Sequence, residues 1–382
     1  MSRQSKIENQ KSKMFAIDGR YIQDHFPGIG RYTFNLIDAL ARIAPDECFV
    51  VLHNPAPKNT RYDIASLARH PNLELRRVDV PTFSLREQFE LRTLGANYKL
   101  LHSPYIVKPY FPRAPSVVTI FDLIPIHFPN DLPNARARLF YRLALTLAIR
   151  TATHILTSSV STRDDLVTRL GVARDKISVT PLAADARFAP QSQNEIARVR
   201  AKYNLPVRFI LTVGINKPHK NHTALQSAIR NSPSAISLVI AGAWDARYAA
   251  EPSQISNRQS QITHIPNIAD ADLPALYAAC DAFVFPSLYE GFGLPPLVAM
   301  ASGAPVICSN ASALPEVVGD AALLFDPRDA DALSAHIARV VNDPALRDGL
   351  RGKSLARAKQ FSWERCARET IQVYHDASRD TG

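Results

Sequence analysis

The feature that most constrains this chain is a rhythm. Thirteen short apolar runs, five to seven residues each, alternate with stretches whose apolar residues recur at helical spacing. The first series is MFAID (14–18), CFVVLH (48–53), LELRRV (73–78), KLLHS (99–103), SVVTIFD (116–122), HILTSS (154–159) and KISVTP (176–181). The second is RFILTVG (208–214), ISLVIAG (236–242), ITHIP (262–266), AFVFPS (282–287), PVICSN (305–310) and AALLFD (321–326). Helical patterns between them include RYTFNLIDALARI (31–43), TRDDLVTRL (162–170), LPALYAAC (273–280) and DALSAHIARVV (331–341). A strand that is apolar along its whole length and is followed by a helix belongs to a parallel sheet covered on both faces. Two series therefore predict two doubly wound α/β domains, 14–185 and 196–360. The seam falls in PLAADARFAPQSQNE (181–195), where prolines, alanines and polar residues replace the periodic pattern. The last segment, 361–382, carries a helix expected to pack back on the first domain. Such sheets bind ligands beyond the carboxyl ends of their strands, so a site in a cleft between the two domains is the expectation.

Bulk properties narrow the classes. With 46% hydrophobic and 21% charged residues in 382, the chain reads as globular, not fibrous or disordered. The net charge of +10 is lopsided: residues 1–190 hold 26 Lys and Arg against 17 Asp and Glu, leaving 19 against 18 in the remainder. A basic first half suits a phosphorylated substrate or an anionic lipid surface. No zinc finger, basic zipper or aromatic RNA-binding signature accompanies the charge, so no nucleic acid partner is expected. Cys48, Cys280, Cys308 and Cys366 lie far apart among apolar neighbours, which predicts buried thiols in a reducing compartment and no metal ligation. The opening MSRQSKIENQKSK is polar, and no apolar run approaches the roughly 18 residues a membrane span needs. A cytoplasmic protein is expected, peripheral on the inner membrane face if its basic half meets lipid.

Four segments carry candidate chemistry. In SLYEGFGLPPLVAM (287–300) a strand ends near Ser287 and a helix begins near Leu294, with Pro295 and Pro296 in its first turn. The amides of Phe292, Gly293 and Leu294 then sit at a positive helix end, which favours a phosphate. Gly291 and Gly293 permit close backbone approach, and Glu290 stands just before. The plain alternative is a helix cap with a surface acid. In VGINKPHKNH (213–222), Lys217, His219 and Lys220 cluster before a helix; Lys220, nearest its entry, is the best phosphate partner. PGIGRYTFNL (27–36) reads GxGxxT ten residues after its strand, too far for a dinucleotide fingerprint. A glycine loop whose amides at Gly28 and Gly30 touch an anion is the better expectation. In TIFDLIPIHFP (119–129), Asp122 ends a strand and His127 follows on a loop; a cap and a satisfied histidine are the plain readings, and His102 in HSPY is read the same way.

Together these segments, with ILTSSVSTRDDL, KISVTPLAAD, ALPEVVGDAALLFDP and FSWERCA, span nearly the whole chain in order, and it resembles the retaining glycosyltransferases of family 4. The resemblance implies the GT-B fold, two Rossmann-like domains facing a central cleft. It extends to bacterial enzymes of O-antigen, capsule and exopolysaccharide assembly, mannosyltransferases among them. It implies transfer of a hexose, mannose being the first choice, from a GDP- or UDP-sugar to a lipid-linked or saccharide acceptor. Lys220, with His219 beside it, would neutralise the diphosphate. The amides of Phe292, Gly293 and Leu294 would touch sugar hydroxyls and phosphate. Glu290 would contact the donor sugar, with Asp122 as a second catalytic candidate. Gly28 and Gly30 would reach the donor from the first domain, and the base would lie along Pro266–Asn267. No metal and no cofactor are implied, since the lysine and the helix terminus supply the positive charge.

The sequence departs from the family pattern around the donor. The second glutamate of the Glu-x7-Glu motif is Val298, the histidine before the aspartate of TIFD is Phe121, and the arginine before the diphosphate lysine is His219. Valine cannot accept the hydrogen bonds of ribose hydroxyls. Two rivals follow: a catalytically degenerate, nucleotide-binding partner subunit, and a nucleotide-sugar 2-epimerase, for which no added acid/base set is found. A periplasmic sugar-binding protein is disfavoured by the polar N-terminus.

Overall fold

The structure is a computed structural model, and it describes residues 14–95, 97–230, 236–248 and 262–379. The polar opening segment lies outside the described residues. The chain divides into two compact units. The first is Met1–Pro125, Leu132–Leu182 and Ser362–Gly382; the second is Ile126–Asp131 and Ala183–Phe361. Residues 126–131 therefore belong with the second unit, although their place in the sequence put them in the first domain.

All thirteen apolar runs form strands, each shorter than its run by one to three residues. In the first unit they are β1 (Phe15–Asp18), β2 (Phe49–His53), β3 (Leu73–Arg77), β4 (Leu100–Ser103), β5 (Ser116–Thr119), β6 (His154–Thr157) and β7 (Ile177–Val179). They make one parallel sheet in the order β3-β2-β1-β4-β5-β6-β7. The final helix, Trp363–Arg379, packs against the helix Pro27–Ile43 of the same unit. A buried polar chain ties it to the sheet: His102 Nδ1 on β4 is 2.6 Å from the Tyr374 hydroxyl, and His102 Nε2 is 2.8 Å from Thr119 Oγ1 on β5.

The second unit holds β8 (Phe209–Val213), β9 (Ser237–Ala241), β10 (Ile262–Ile265), β11 (Ala282–Phe285), β12 (Val306–Ser309) and β13 (Ala322–Phe325). These pair in parallel in the order β10-β9-β8-β11-β12-β13. Successive side chains point to opposite faces, so one apolar run fills two cores. Phe209, Leu211, Val239, Phe283, Phe285 and Val306 join one buried cluster, while Ile210, Leu238, Ile240, Val284 and Ile307 join the other. Each such side chain contributes about 1.5–3 kcal/mol through burial. The strand order turns back between β8 and β11, and at such a switch point the loops leaving the two strands diverge and open a crevice.

Of the four cysteines, Cys280, Cys308 and Cys366 are buried, but Cys48 is exposed just before β2. Phe49 and Val50 follow it, but the acidic Asp46 and Glu47 precede it, and the turn at 45–47 leaves it at the solvent edge of the sheet. Among the described residues, no helix is long and apolar enough to cross a membrane.

Candidate functional site

The switch point of the second unit brings Lys220 and Glu290 together. Lys220 ends a short 3-10 helix, Pro218–Lys220, on the loop after β8, and Glu290 lies on the loop after β11. Lys220 Nζ donates to Glu290 Oε1 at 2.6 Å, with the two side chains only 15% and 9% exposed. The ammonium also sits 5.0 Å from the centre of the Phe285 ring at the end of β11. Seventy residues separate the two in sequence; the β8–β11 pairing is what makes them neighbours.

Both loops are fixed by backbone bonds. Leu288 N donates to His219 O at 2.7 Å, joining one loop to the other. Asn221 takes a left-handed φ of 55°, and its Nδ2 donates to Pro327 O at 2.8 Å and to Pro286 O at 3.2 Å. Glu290 N donates to Ser312 Oγ at 2.7 Å. The carboxylate is thus held from behind by its own backbone and in front by the lysine.

The helix Leu294–Ala301 starts where the proline pair predicts. Gly293 precedes it at φ 111°, and a Cβ there would come within 2.7 Å of Leu314 Cδ2. Only glycine meets both demands. No side chain caps this helix. Among the described residues, no acceptor is bonded to the amides of Phe292, Gly293 or Leu294. Three donors at a positive helix end, a lysine and a carboxylate thus converge on the carboxyl side of the sheet. That set can bind a diphosphate and orient an attached group bearing hydroxyls.

His219 is placed differently from the expectation. It is buried, with Nδ1 2.5 Å from Asp131 Oδ2 and the Phe128 ring beside it. Burial, then Lys220, Lys217 and His222, push its pKa down to about 2, while burial raises that of Asp131. A neutral ring engaged with Asp131 supplies no charge to a phosphate, so His219 is a structural prop under the Lys220 loop. Asp131 gave no signal in the sequence, because it lies 88 residues away on a segment that crosses from the first unit's part of the chain.

The glycine loop is also corrected. Pro27 occupies the first position of the helix Pro27–Ile43, so Gly28 and Gly30 are helical rather than on a loop. Gly30 N donates to Phe26 O at 2.7 Å and is unavailable to an anion. Gly30 is there for packing, since a Cβ would meet Tyr21 O at 3.2 Å. Gly28 is exposed in the first turn, with nothing within 4 Å of a built Cβ. Asp122 lies three residues past the end of β5, and its Oδ1 accepts from Ile124 N at 2.9 Å, capping the short helix Ile124–His127. Pro266 and Asn267 are exposed beyond β10, at the sheet edge and two strands from β8.

Other contacts near the switch point were not read from the sequence, where His127 reads as a satisfied loop residue; it ends the helix Ile124–His127. His127 stacks on Tyr289, the residue before Glu290, with ring centres 4.1 Å apart. The two line a cavity of about 430 Å³ with Asn310, Asp326 and Arg328 at the carboxyl ends of β12 and β13. On the other side, Asn216 Nδ2 donates to Asp245 O at 2.9 Å, and Trp244 lies against His222 and His264. Burial, then Lys220, lowers the His222 pKa to about 4. Val298, at the second motif position, is buried in the apolar cluster with Ala299 and Met300. Among the described residues, no group of three or more His, Cys, Asp or Glu side chains is gathered to hold a metal ion.

Residues 27–188 match the model of Glycosyltransferase Family 4, and residues 194–356 match that of Glycosyl transferases group 1. The O-antigen chain mannosyltransferase B of Escherichia coli is 35% identical over 91% of this chain and 95% of its own length. The chain belongs to glycosyltransferase family 4. This glycosyltransferase is also 32% identical over 68% of its length to the E. coli serotype-specific mannosyltransferase WbdA, of which it spans about a third. Among solved structures, Anabaena HepE in complex with UDP and glucose matches with a TM-score of 0.69 at 20% identity, covering 96% of this chain and all of the other. That likeness shows a shared two-domain GT-B fold.

Proposed function

We propose that this glycosyltransferase moves mannose from GDP-mannose to a lipid-linked saccharide during cell-surface polysaccharide synthesis, with retention at the anomeric carbon and without a metal ion. The observation that carries the reading is the Lys220–Glu290 pair beside three unpartnered amides at a sheet switch point. The choice of mannose is supported by the O-antigen chain mannosyltransferase that matches along nearly the whole chain. The second unit is the donor-holding domain. Lys220 meets the diphosphate, and the amides of Phe292, Gly293 and Leu294 meet phosphate and sugar oxygens. Glu290 turns from the lysine toward the sugar hydroxyls, and Pro266–Asn267 lie along the base. Gly28, at the start of its helix, is the remaining candidate for a donor contact from the first unit.

The chemistry follows from charge. As the bond from C1 to the phosphate oxygen breaks, its electron pair moves to the leaving diphosphate. A fixed ammonium and three oriented amides stabilise that charge at no cost in reorganisation, which is where electrostatic catalysis acts most strongly. The acceptor oxygen bonds to C1 from the same face, and its proton passes to a donor phosphate oxygen. Glu290 holds the sugar and stabilises positive charge at C1 without forming a covalent bond.

The test is transfer from GDP-mannose to a synthetic mannosyl-lipid acceptor in excess EDTA, with the product anomer read by NMR. An α-mannoside formed at an undiminished rate supports the proposal. A β-product, or loss of rate restored by a divalent cation, overturns retention or metal independence respectively. The mannosyltransferases that match along the chain favour neither rival, the partner subunit nor the 2-epimerase; the partner-subunit reading, to which Val298 pointed, predicts nucleotide binding with no transfer.

A further inference from the structure

Seven of the ten exposed large hydrophobic residues lie between positions 83 and 143 of the first unit. They form one surface. On the helix Ala135–Thr151, Leu139 is 60%, Phe140 49% and Leu143 54% exposed, while Ala144, Leu145 and Ala148 face the core. Arg136, Leu139, Phe140 and Leu143 follow an i, i+3, i+4, i+7 spacing, the outer face of an amphipathic helix turned toward solvent. On the helix Leu85–Gly95, Leu85 (83% exposed) and Phe89 (69%) repeat the pattern. Phe83 joins the two: its ring centre is 6.2 Å from that of Phe140. It does so at φ 62°, a conformation a bulky residue seldom takes. The loop carrying Phe111 is pinned alongside, because Gln88 Nε2 donates to Lys108 O at 2.8 Å and Tyr110 N donates to Gln88 Oε1 at 2.9 Å.

The unpaired charge of this surface is positive: Glu90, exposed on the helix Leu85–Gly95, is matched by Arg86 at 2.7 Å. The helix Ala135–Thr151 contains arginines at 136, 138, 142 and 150 and no acidic residue. Arg92, Arg113, Arg136 and Arg142 are exposed and have no ion-pair partner among the described residues. A second copy of the chain docked face to face on this patch would set arginine against arginine. Apolar side chains ringed by unpaired arginines suit an interface whose outer layer is anionic and whose interior is hydrocarbon.

We infer that the face built by the helices Leu85–Gly95 and Ala135–Thr151 docks on an anionic lipid surface, with Phe83, Phe89, Phe140 and Leu143 entering the acyl boundary and the arginines at the headgroups. The inference deepens the reading of a lipid-linked acceptor and rests on it only in supplying a membrane for that acceptor. The donor chemistry plays no part in it.

The experiment is co-sedimentation of the full chain with vesicles of phosphatidylcholine alone or mixed with phosphatidylglycerol, at low and physiological salt. Binding to the mixed vesicles only is expected. Arg136→Glu with Arg142→Glu should weaken it at least about twentyfold, from about fivefold per arginine. The same charge change at Arg339→Glu with Lys359→Glu, exposed positions of the second unit, should weaken it far less. Phe140→Ser with Leu143→Ser should weaken binding about tenfold or more even at high salt. Equal binding to both vesicles, no binding, or patch variants indistinguishable from the control would overturn the proposal. So would patch-dependent self-association or binding of a protein in place of lipid. Thermal shift by GDP on the same variants separates the two questions. A wild-type protein that ignores GDP but sediments with anionic vesicles sinks the donor reading alone.

Discussion

Lys220 and Glu290 form a nearly buried ion pair, Nζ to Oε1 2.6 Å, at the point where the second sheet reverses its strand order. Such a pair is a weak source of stability but a costly one to break from one side. On the proposed function, an arriving diphosphate would let it part without leaving either charge alone, the phosphate taking the ammonium and the sugar hydroxyls the carboxylate.

Replacing Glu290 tests the sugar half of this exchange. Glu290→Ala removes hydrogen bonds to a charged acceptor, about 2–3 kcal/mol, and should lower turnover by on the order of a hundredfold. Glu290→Gln keeps an acceptor for Lys220 and should fold as well as wild type while still losing most of the rate. Initial rates together with thermal melts make the distinction, and near-normal turnover in Glu290→Ala would remove the residue from the mechanism.

Gly293 tests the helix start. Gly293→Ala meets both a φ of 111° and Leu314 Cδ2 at 2.7 Å, and should cost about 2–4 kcal/mol in urea unfolding. Adding Leu314→Ala relieves the clash but not the backbone strain and opens a cavity at a fully buried site, so the double variant should be no more stable than Gly293→Ala. Nucleotide affinity should fall in both variants, because the amides of Phe292 and Leu294 turn with the residue between them.

His102 should set an acid limit on the first unit. Burial lowers its pKa from 6.5 to about 3. Below pH 6.5 the unfolded chain takes up a proton there that the folded chain refuses, so stability is full above that value and falls steadily between pH 6.5 and 3. At pH 5 the loss from this group is about 2 kcal/mol. Unfolding free energies measured from pH 7 to 5 should show that slope, and His102→Gln should flatten it while lowering stability at pH 7 through the broken link to Tyr374. A slope unchanged by the substitution would assign the acid sensitivity to other histidines.

The strands were legible because parallel strands covered on both faces are apolar along their length, and their bounds moved by one to three residues in all. The helix start at Leu294 was legible from Pro295 and Pro296, and the position of Lys220 on the loop leaving a strand from the apolar run before it. Gly28 and Gly30 were misplaced because the spacing of glycines was given more weight than Pro27, whose fixed φ starts the helix early. His219 was misassigned because its partner, Asp131, is remote in sequence and belongs to a segment that leaves its own sequence neighbours for the second unit. The His127–Tyr289 stack and the exposed apolar stripe on Ala135–Thr151 went unread for the same cause: a residue's neighbours in space are set by the chain path, which local pattern does not record.

Calorimetric titration of GDP into wild type and Lys220→Ala is the most direct trial of the diphosphate site. Losing charge-assisted bonds of about 1.5–3 kcal/mol should weaken Kd by about ten- to a hundredfold, with the fold intact by circular dichroism. Equal affinity in the two proteins would mean that the diphosphate binds away from Lys220, and the proposed site would fail.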